Sequence, residues 1–88
     1  MLQVKITDRN GLHARPACLI ASIALKYKGK VYIEKGSIMC NAKSILSLMA
    51  LDLRFGDMVN IVAKGKHSEQ IEKKIKTAII GLSKTKNS

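Results

Sequence analysis

Asn10-Gly11-Leu12-His13-Ala14-Arg15-Pro16-Ala17 decides how this chain is read. The stretch holds the only Pro and one of the two His, with an Arg two residues beyond that His. Before it, Leu2, Val4 and Ile6 alternate with Gln3, Lys5 and Thr7, the pattern of a half-buried strand. After it, Ala17, Ile20, Ala24 and Tyr27 recur at helical spacing with Ile23 on the same face, so a helix is expected from about Arg15 to Tyr27. Pro is accommodated in a helix's first turn, where its missing N–H would lack a partner anyway. His13 therefore stands beside a helix start, where free backbone N–H groups and the positive end of the dipole attract anions. A ring nucleophile, a guanidinium and helix-end donors in one place suit a site that holds phosphate on histidine.

Outward from this stretch the chain reads as a series of short amphipathic elements. Asp8-Arg9-Asn10-Gly11 is a polar turn, Lys26 and Lys28 suit the negative end of the first helix, and Gly29 is its expected stop. Val31 and Ile33 mark a second strand, Lys35-Gly36-Ser37 a turn, and Ile38, Cys40 and Ala42 one face of a third strand. Ser44 opens a short helix from Ile45 to about Leu51, apolar almost all round, so that part of it must face water while Leu48 goes inward. A loop over Asp52 to Asp57 leads to a fourth strand, Met58 to Lys64, with Val59, Ile61 and Ala63 inward. After Gly65-Lys66-His67, Ser68 is the expected N-cap of a last helix marked by Ile71, Ile75, Ala78, Ile79 and Leu82 and ending near Ser83. The order is β-α-β-β-α-β-α, which gives an α+β fold of two layers: one antiparallel sheet with three helices on one face. The other face, with Gln3, Lys5, Thr7, Tyr32, Glu34 and Asn60, is left to water.

Composition narrows the classes of function. The chain of 88 residues is read as one domain, residues 1–88, ordered to about 83 with a polar tail over 84–88. No apolar run approaches a membrane span and no signal-peptide layout opens the chain, so a cytoplasmic protein without membrane insertion is expected. Cys18 and Cys40 match neither a metal spacing nor a disulfide framework and read as reduced thiols. The net charge of +10 raises acidic partners, anionic lipid and nucleic acid as candidates. With Tyr27, Tyr32 and Phe55 as the only aromatics, a stacking platform for nucleic acid is poorly supplied.

In the assigned chemistry, the helix start and Arg15 disfavour imidazolium and keep His13 a neutral nucleophile. The same groups stabilise the phosphorylated form. Backbone N–H groups of Ala14, Arg15 and Ala17 are the available donors, since Pro16 has none, and the Arg15 fork can meet more than one phosphate oxygen. The plainer reading of the same residues is a loop His capping a helix next to a surface Arg. For Ser44 the plainer reading is a simple N-cap, for His67 plain surface, and for Lys43 a solvated side chain.

Gly11-Leu12-His13-Ala14-Arg15-Pro16-Ala17 resembles the active-site signature of HPr, the histidine-containing phosphocarrier family of the bacterial sugar phosphotransferase system. Asn41-Ala42-Lys43-Ser44-Ile45-Leu46-Ser47-Leu48-Met49-Ala50-Leu51 resembles that family's second signature, around a regulatory serine. The resemblance covers residues 1 to 83 and implies an open-faced β-sandwich with strand order 1-4-2-3. It implies that His13 accepts phosphate on Nδ1 from phospho-enzyme I and passes it to a histidine of a sugar-specific enzyme IIA, with Arg15 as the phosphate partner. The chain would then be a protein cosubstrate, working as a monomer without cofactor or metal. Cys18, Ile45, Leu46 and Met49 would form the docking patch, and Ser44 the target of an HPr kinase/phosphorylase whose product a catabolite-control regulator reads. A regulatory paralogue acting through phosphorylation-dependent protein binding, in a nitrogen or catabolite-control branch, is the alternative the resemblance leaves open. Asp52 stands where relatives often carry Gly, so a changed turn is expected there.

Overall fold

A computed structural model describes residues 1–9 and 14–85; at 14, 15 and 82–85 it describes the backbone alone. The elements follow the expected order: β1 Leu2–Lys5, α1 Ala14–Leu25, β2 Lys30–Lys35, β3 Ile38–Asn41, α2 Ile45–Ala50, β4 Met58–Lys64 and α3 Ser68–Thr85. All strand pairs are antiparallel, and the sheet order is β1-β4-β2-β3. Register sets the two faces. Leu2, Ile61, Ile33 and Cys40 line up across the sheet on the helix side, while Gln3, Asn60, Glu34 and Met39 line up on the other. On that open face the Asn60 side-chain amide donates to Glu34 Oε1 at 3.1 Å.

The core lies between the sheet and the helices. Val4, Ile6, Val31, Ile33, Val59 and Ile61 from the sheet side meet Ala17, Ile20, Ala21 and Ala24 of α1 and Ile71, Ile75 and Ile79 of α3. The alanines let α1 approach the sheet closely. Leu53, in the segment read as a plain loop, is also buried. Its neighbours are stitched to β1's continuation, because Ile6 N–H donates to Asp57 O and Gly56 N–H to Ile6 O, each at 2.8 Å.

Several local expectations are corrected. Ile38 shares the face of Cys40 expected from the alternation, but it is exposed. It pairs with Lys35 at the far end of the edge strand, and Ala42 is buried in the turn after it. Gly29 does not stop α1, which ends at Leu25 with Lys26 and Tyr27 N–H tightening onto Ile23 and Ala24 carbonyls. Gly29 is needed for another reason: a Cβ there would collide with the Lys64 carbonyl oxygen and the Tyr27 ring. Ser68 is the first residue of α3, not its cap. His67, at φ 60°, holds the cap position, its carbonyl accepting from Gln70 and Ile71 N–H. Asp8, in the polar turn after β1, and Glu72, near the start of α3, are buried carboxylates. Glu72 Oε2 accepts the Ala63 N–H at 2.9 Å and Oε1 lies 3.1 Å from the Met1 amino nitrogen, so α3 is pinned to β4 through a charge-assisted bond. The Asn10-Gly11 part of the first turn and residues 86–88 of the tail lie outside the described residues.

Two Gly→Ala substitutions should have opposite signs. Gly29→Ala forces backbone apart and is expected to cost about 2–4 kcal/mol in urea unfolding. Gly81→Ala, inside α3 with open space around its Cβ position, should raise stability by roughly 0.5–1 kcal/mol.

Candidate functional site

α1 begins at Ala14, the residue after His13, and Pro16 is buried in its first turn as expected. An α-helix start leaves its first backbone N–H groups without intrahelical partners, so the donors at Ala14, Arg15 and Ala17 belong to the end of α1 that follows His13. His13 itself and the side chain of Arg15 lie outside the described residues. Ala17 is wholly buried against the core, while the next residue, Cys18, is exposed and Leu19 is 41 % exposed. The first turn of α1 thus changes from core to surface within two residues.

α2 packs against α1. Its six residues Ile45–Ala50 carry apolar groups almost all round, and a helix this short can turn only one side to the core. Leu48 takes that side and is fully buried. Ile45, Leu46 and Met49 are left 39 %, 80 % and 42 % exposed, an apolar surface of adaptable side chains. Ser44 is the N-cap in extended conformation, its Oγ accepting the Ser47 N–H at 3.2 Å, and Leu51 closes the helix.

Lys43 corrects the expectation of a solvated side chain. Its Nζ donates to the Tyr27 carbonyl at 2.7 Å, just past the end of α1, and its N–H is held by Asn41 Oδ1 at 2.9 Å. A cation there satisfies a carbonyl near α1's negative end. It also ties the residue before Ser44 to α1. Nothing in a Lys between Ala42 and Ser44 announces so distant a partner.

On the other side of α2, Asp52 adopts φ 53°, the left-handed region that favours Gly. The turn therefore accommodates Asp in that conformation, a side chain that tolerates it better than most. Arg54 closes on Asp52 Oδ2 through Nε at 3.2 Å and a terminal nitrogen at 2.9 Å. The Arg54 backbone N–H, then the Lys35 ammonium at 3.0 Å, hold the Asp57 carboxyl below the usual carboxylate range. Burial pushes the Cys40 thiol up, against a smaller opposing effect of a backbone hydrogen bond with Ile33. Among the described residues no His, Cys, Asp and Glu cluster could hold a metal, and no helix is long and apolar enough to cross a membrane.

Two outcomes follow from this geometry. Ser44→Ala should cost about 1 kcal/mol by loss of the cap, and Ser44→Asp, which restores an acceptor at the helix start, much less, both read by thermal unfolding. In the folded protein a thiol reagent should modify exposed Cys18 well before half-buried Cys40, a difference that disappears on denaturation.

Comparison with known proteins fits this arrangement. The profile of the PTS-HPr family, described as the PTS HPr component phosphorylation site, matches residues 2–80. The phosphocarrier protein HPr of Mycoplasma capricolum is 37 % identical over 75 residues, covering 85 % of this chain and 84 % of that protein. The HPr-like protein Crh of Bacillus subtilis is 34 % identical over 73 residues, covering 83 % and 86 %. The solved structure of a mycoplasma histidine-containing phosphocarrier protein superposes with a TM-score of 0.87 at 34 % identity, covering 93 % of each chain.

Proposed function

The chain belongs to the PTS HPr family, and from that membership we propose that it carries a phosphoryl group on His13 between two other proteins. In this reading a phosphohistidine of enzyme I is the donor and a histidine of a sugar-specific enzyme IIA the acceptor. His13 Nδ1 attacks phosphorus, the donor's nitrogen–phosphorus bond breaks, and the donor imidazole leaves with its electron pair. The second transfer repeats the step with His13 as leaving group. The chain is a cosubstrate of both transfers and is recovered unchanged after the pair.

The observation that carries the reading is the start of α1 at Ala14. The backbone donors of Ala14, Arg15 and Ala17 and the positive dipole end follow His13 directly in the chain, and they favour added negative charge. The Arg15 guanidinium is assigned to the phosphate oxygens. Phosphate must pass between histidines without reaching water, which calls for an apolar collar around a polar centre. Exposed Ile45, Leu46, Met49 and Cys18 are assigned to that collar.

Ser44 is the proposed regulatory position, target of an HPr kinase/phosphorylase. A phosphate on the N-cap complements the dipole of α2 and leaves the fold in place, while setting a dianion against the collar. A catabolite-control regulator is the class of partner that would read it. The likeness to Crh, whose solution structure is described as that of the Bacillus subtilis catabolite repression HPr, supports a regulatory role beside the first; His13 is the residue that keeps the carrier role available.

Incubation with phosphoenolpyruvate and enzyme I should give an acid-labile, base-stable phosphoprotein. His13→Ala should abolish it and Arg15→Ala slow transfer about 100-fold. Labelling of His13→Ala at the wild-type rate would overturn the assignment.

A further inference from the structure

Far from the first turn of α1, the end of that helix meets the start of α3 in a groove with its own chemistry. α1 is 12 residues long, about 18 Å at the rise of an α-helix, so the two ends are well separated. The groove encloses a cavity of about 250 Å³, small for a drug-sized ligand but sufficient for a small metabolite. Ile23, buried Ile71 and the half-buried Tyr27 supply its apolar lining. Lys26, Lys74 and His67 are exposed around it, with Gln70 between them on α3. Among the described residues no carboxylate lines it. Glu69, on the same first turn of α3, lines a different cleft with Met1, Leu2 and Glu72.

The groove is also built firmly. Tyr27 Oη donates to the Lys66 carbonyl at 2.8 Å, Gly29 and Gly65 admit close backbone approach beside that ring, and Lys43 holds the Tyr27 carbonyl. The apolar lining is therefore held in place before any ligand arrives, which lowers the ordering cost of binding. Beyond Lys74 a second, shallower depression between α1 and α3 is lined by Ile23, Lys73, Lys74, Thr77 and Ala78.

We propose that this groove binds a small phosphomonoester. Lys26, just past the end of α1, and Lys74 of α3 neutralise the phosphate dianion from opposite sides, and His67 and Gln70 offer it further donors. The compact ring or hydrocarbon body lies on Ile23, Ile71 and the Tyr27 ring. Inorganic phosphate alone would leave that apolar lining uncovered, and a neutral apolar molecule would leave two ammonium groups without a counter-charge. A ligand with both parts is the chemistry the groove matches.

The test is an amide NMR titration of the full chain with phenyl phosphate at about 0.1 M salt, with inorganic phosphate and phenol as half-ligand controls. The expected result is saturable shifts at Lys26, Tyr27, Gln70 and Ile71 with Kd of about 1 mM or tighter, and weaker binding of both controls. Lys26→Gln with Lys74→Gln should lose at least about tenfold in affinity while phosphoryl uptake from enzyme I is unchanged. Lys28→Gln with Lys30→Gln, the same charge removed outside the groove, should change affinity less than about twofold. Shifts confined to residues 14–18, no saturation by about 20 mM, or equal losses in the two double variants would overturn the proposal. So would an oligonucleotide that shifts Lys28, Lys30, Lys64 and Lys66 where phenyl phosphate shifts nothing, since a polyanion surface would then replace the groove.

Discussion

Burial of one face of α1 against the sheet is the constraint on which the rest depends. Ala17, Ile20, Ala21 and Ala24 are at most 1 % exposed, and three of the four are alanine. Small side chains bring the helix backbone close to the sheet, and the single Ile fills the space between. Once this face is fixed, the helix can neither roll nor slide without opening voids in a close-packed interior. Its first turn is thereby set in one place, with Cys18 turned to the surface one residue after a buried Ala. A helix free to shift would offer its terminal donors in no defined position.

The other elements hold this arrangement from two sides. α2 lies against α1 with Leu48 as its inward anchor, and Lys43 fastens the approach to α2 onto the end of α1. α3 is pinned from below through Glu72, a buried carboxylate whose two oxygens are both engaged. The cost of burying that charge is offset only because its partners are present, which makes it a register device between α3 and β4. The left-handed residues Asp52 and His67 stand at the entrances to loops and helices, where the chain must reverse within one or two residues.

Much of this was legible in the sequence because it depends on local periodicity. The seven elements, the two-layer fold, the inward Leu48 and the exposed remainder of α2 follow from the spacing of apolar residues and from Ser44 as a cap. Strand order 1-4-2-3 and the family came from the resemblance around His13 and Ser44, not from periodicity. What escaped was tertiary in origin. Buried Glu72 takes its partners from Met1 and Ala63, and buried Leu53 joins the core between sheet and helices, neighbours that no short window contains. Gly29 reads as a helix stop in any local scheme, yet its role is set by the Lys64 carbonyl, 35 positions on. Ile38 takes the face that alternation assigns it yet is exposed, because alternation says which face a residue takes, not whether that end of the face is covered.

The central claim is that one nitrogen of one ring carries the phosphoryl group. It is tested most directly by nitrogen–phosphorus coupling in histidine-labelled protein charged by phosphoenolpyruvate and enzyme I. The account predicts a single phosphorus resonance coupled to Nδ1 of His13. Phosphorus coupled to His67, or coupled to no histidine nitrogen in a protein that still passes its phosphate onward, would contradict it.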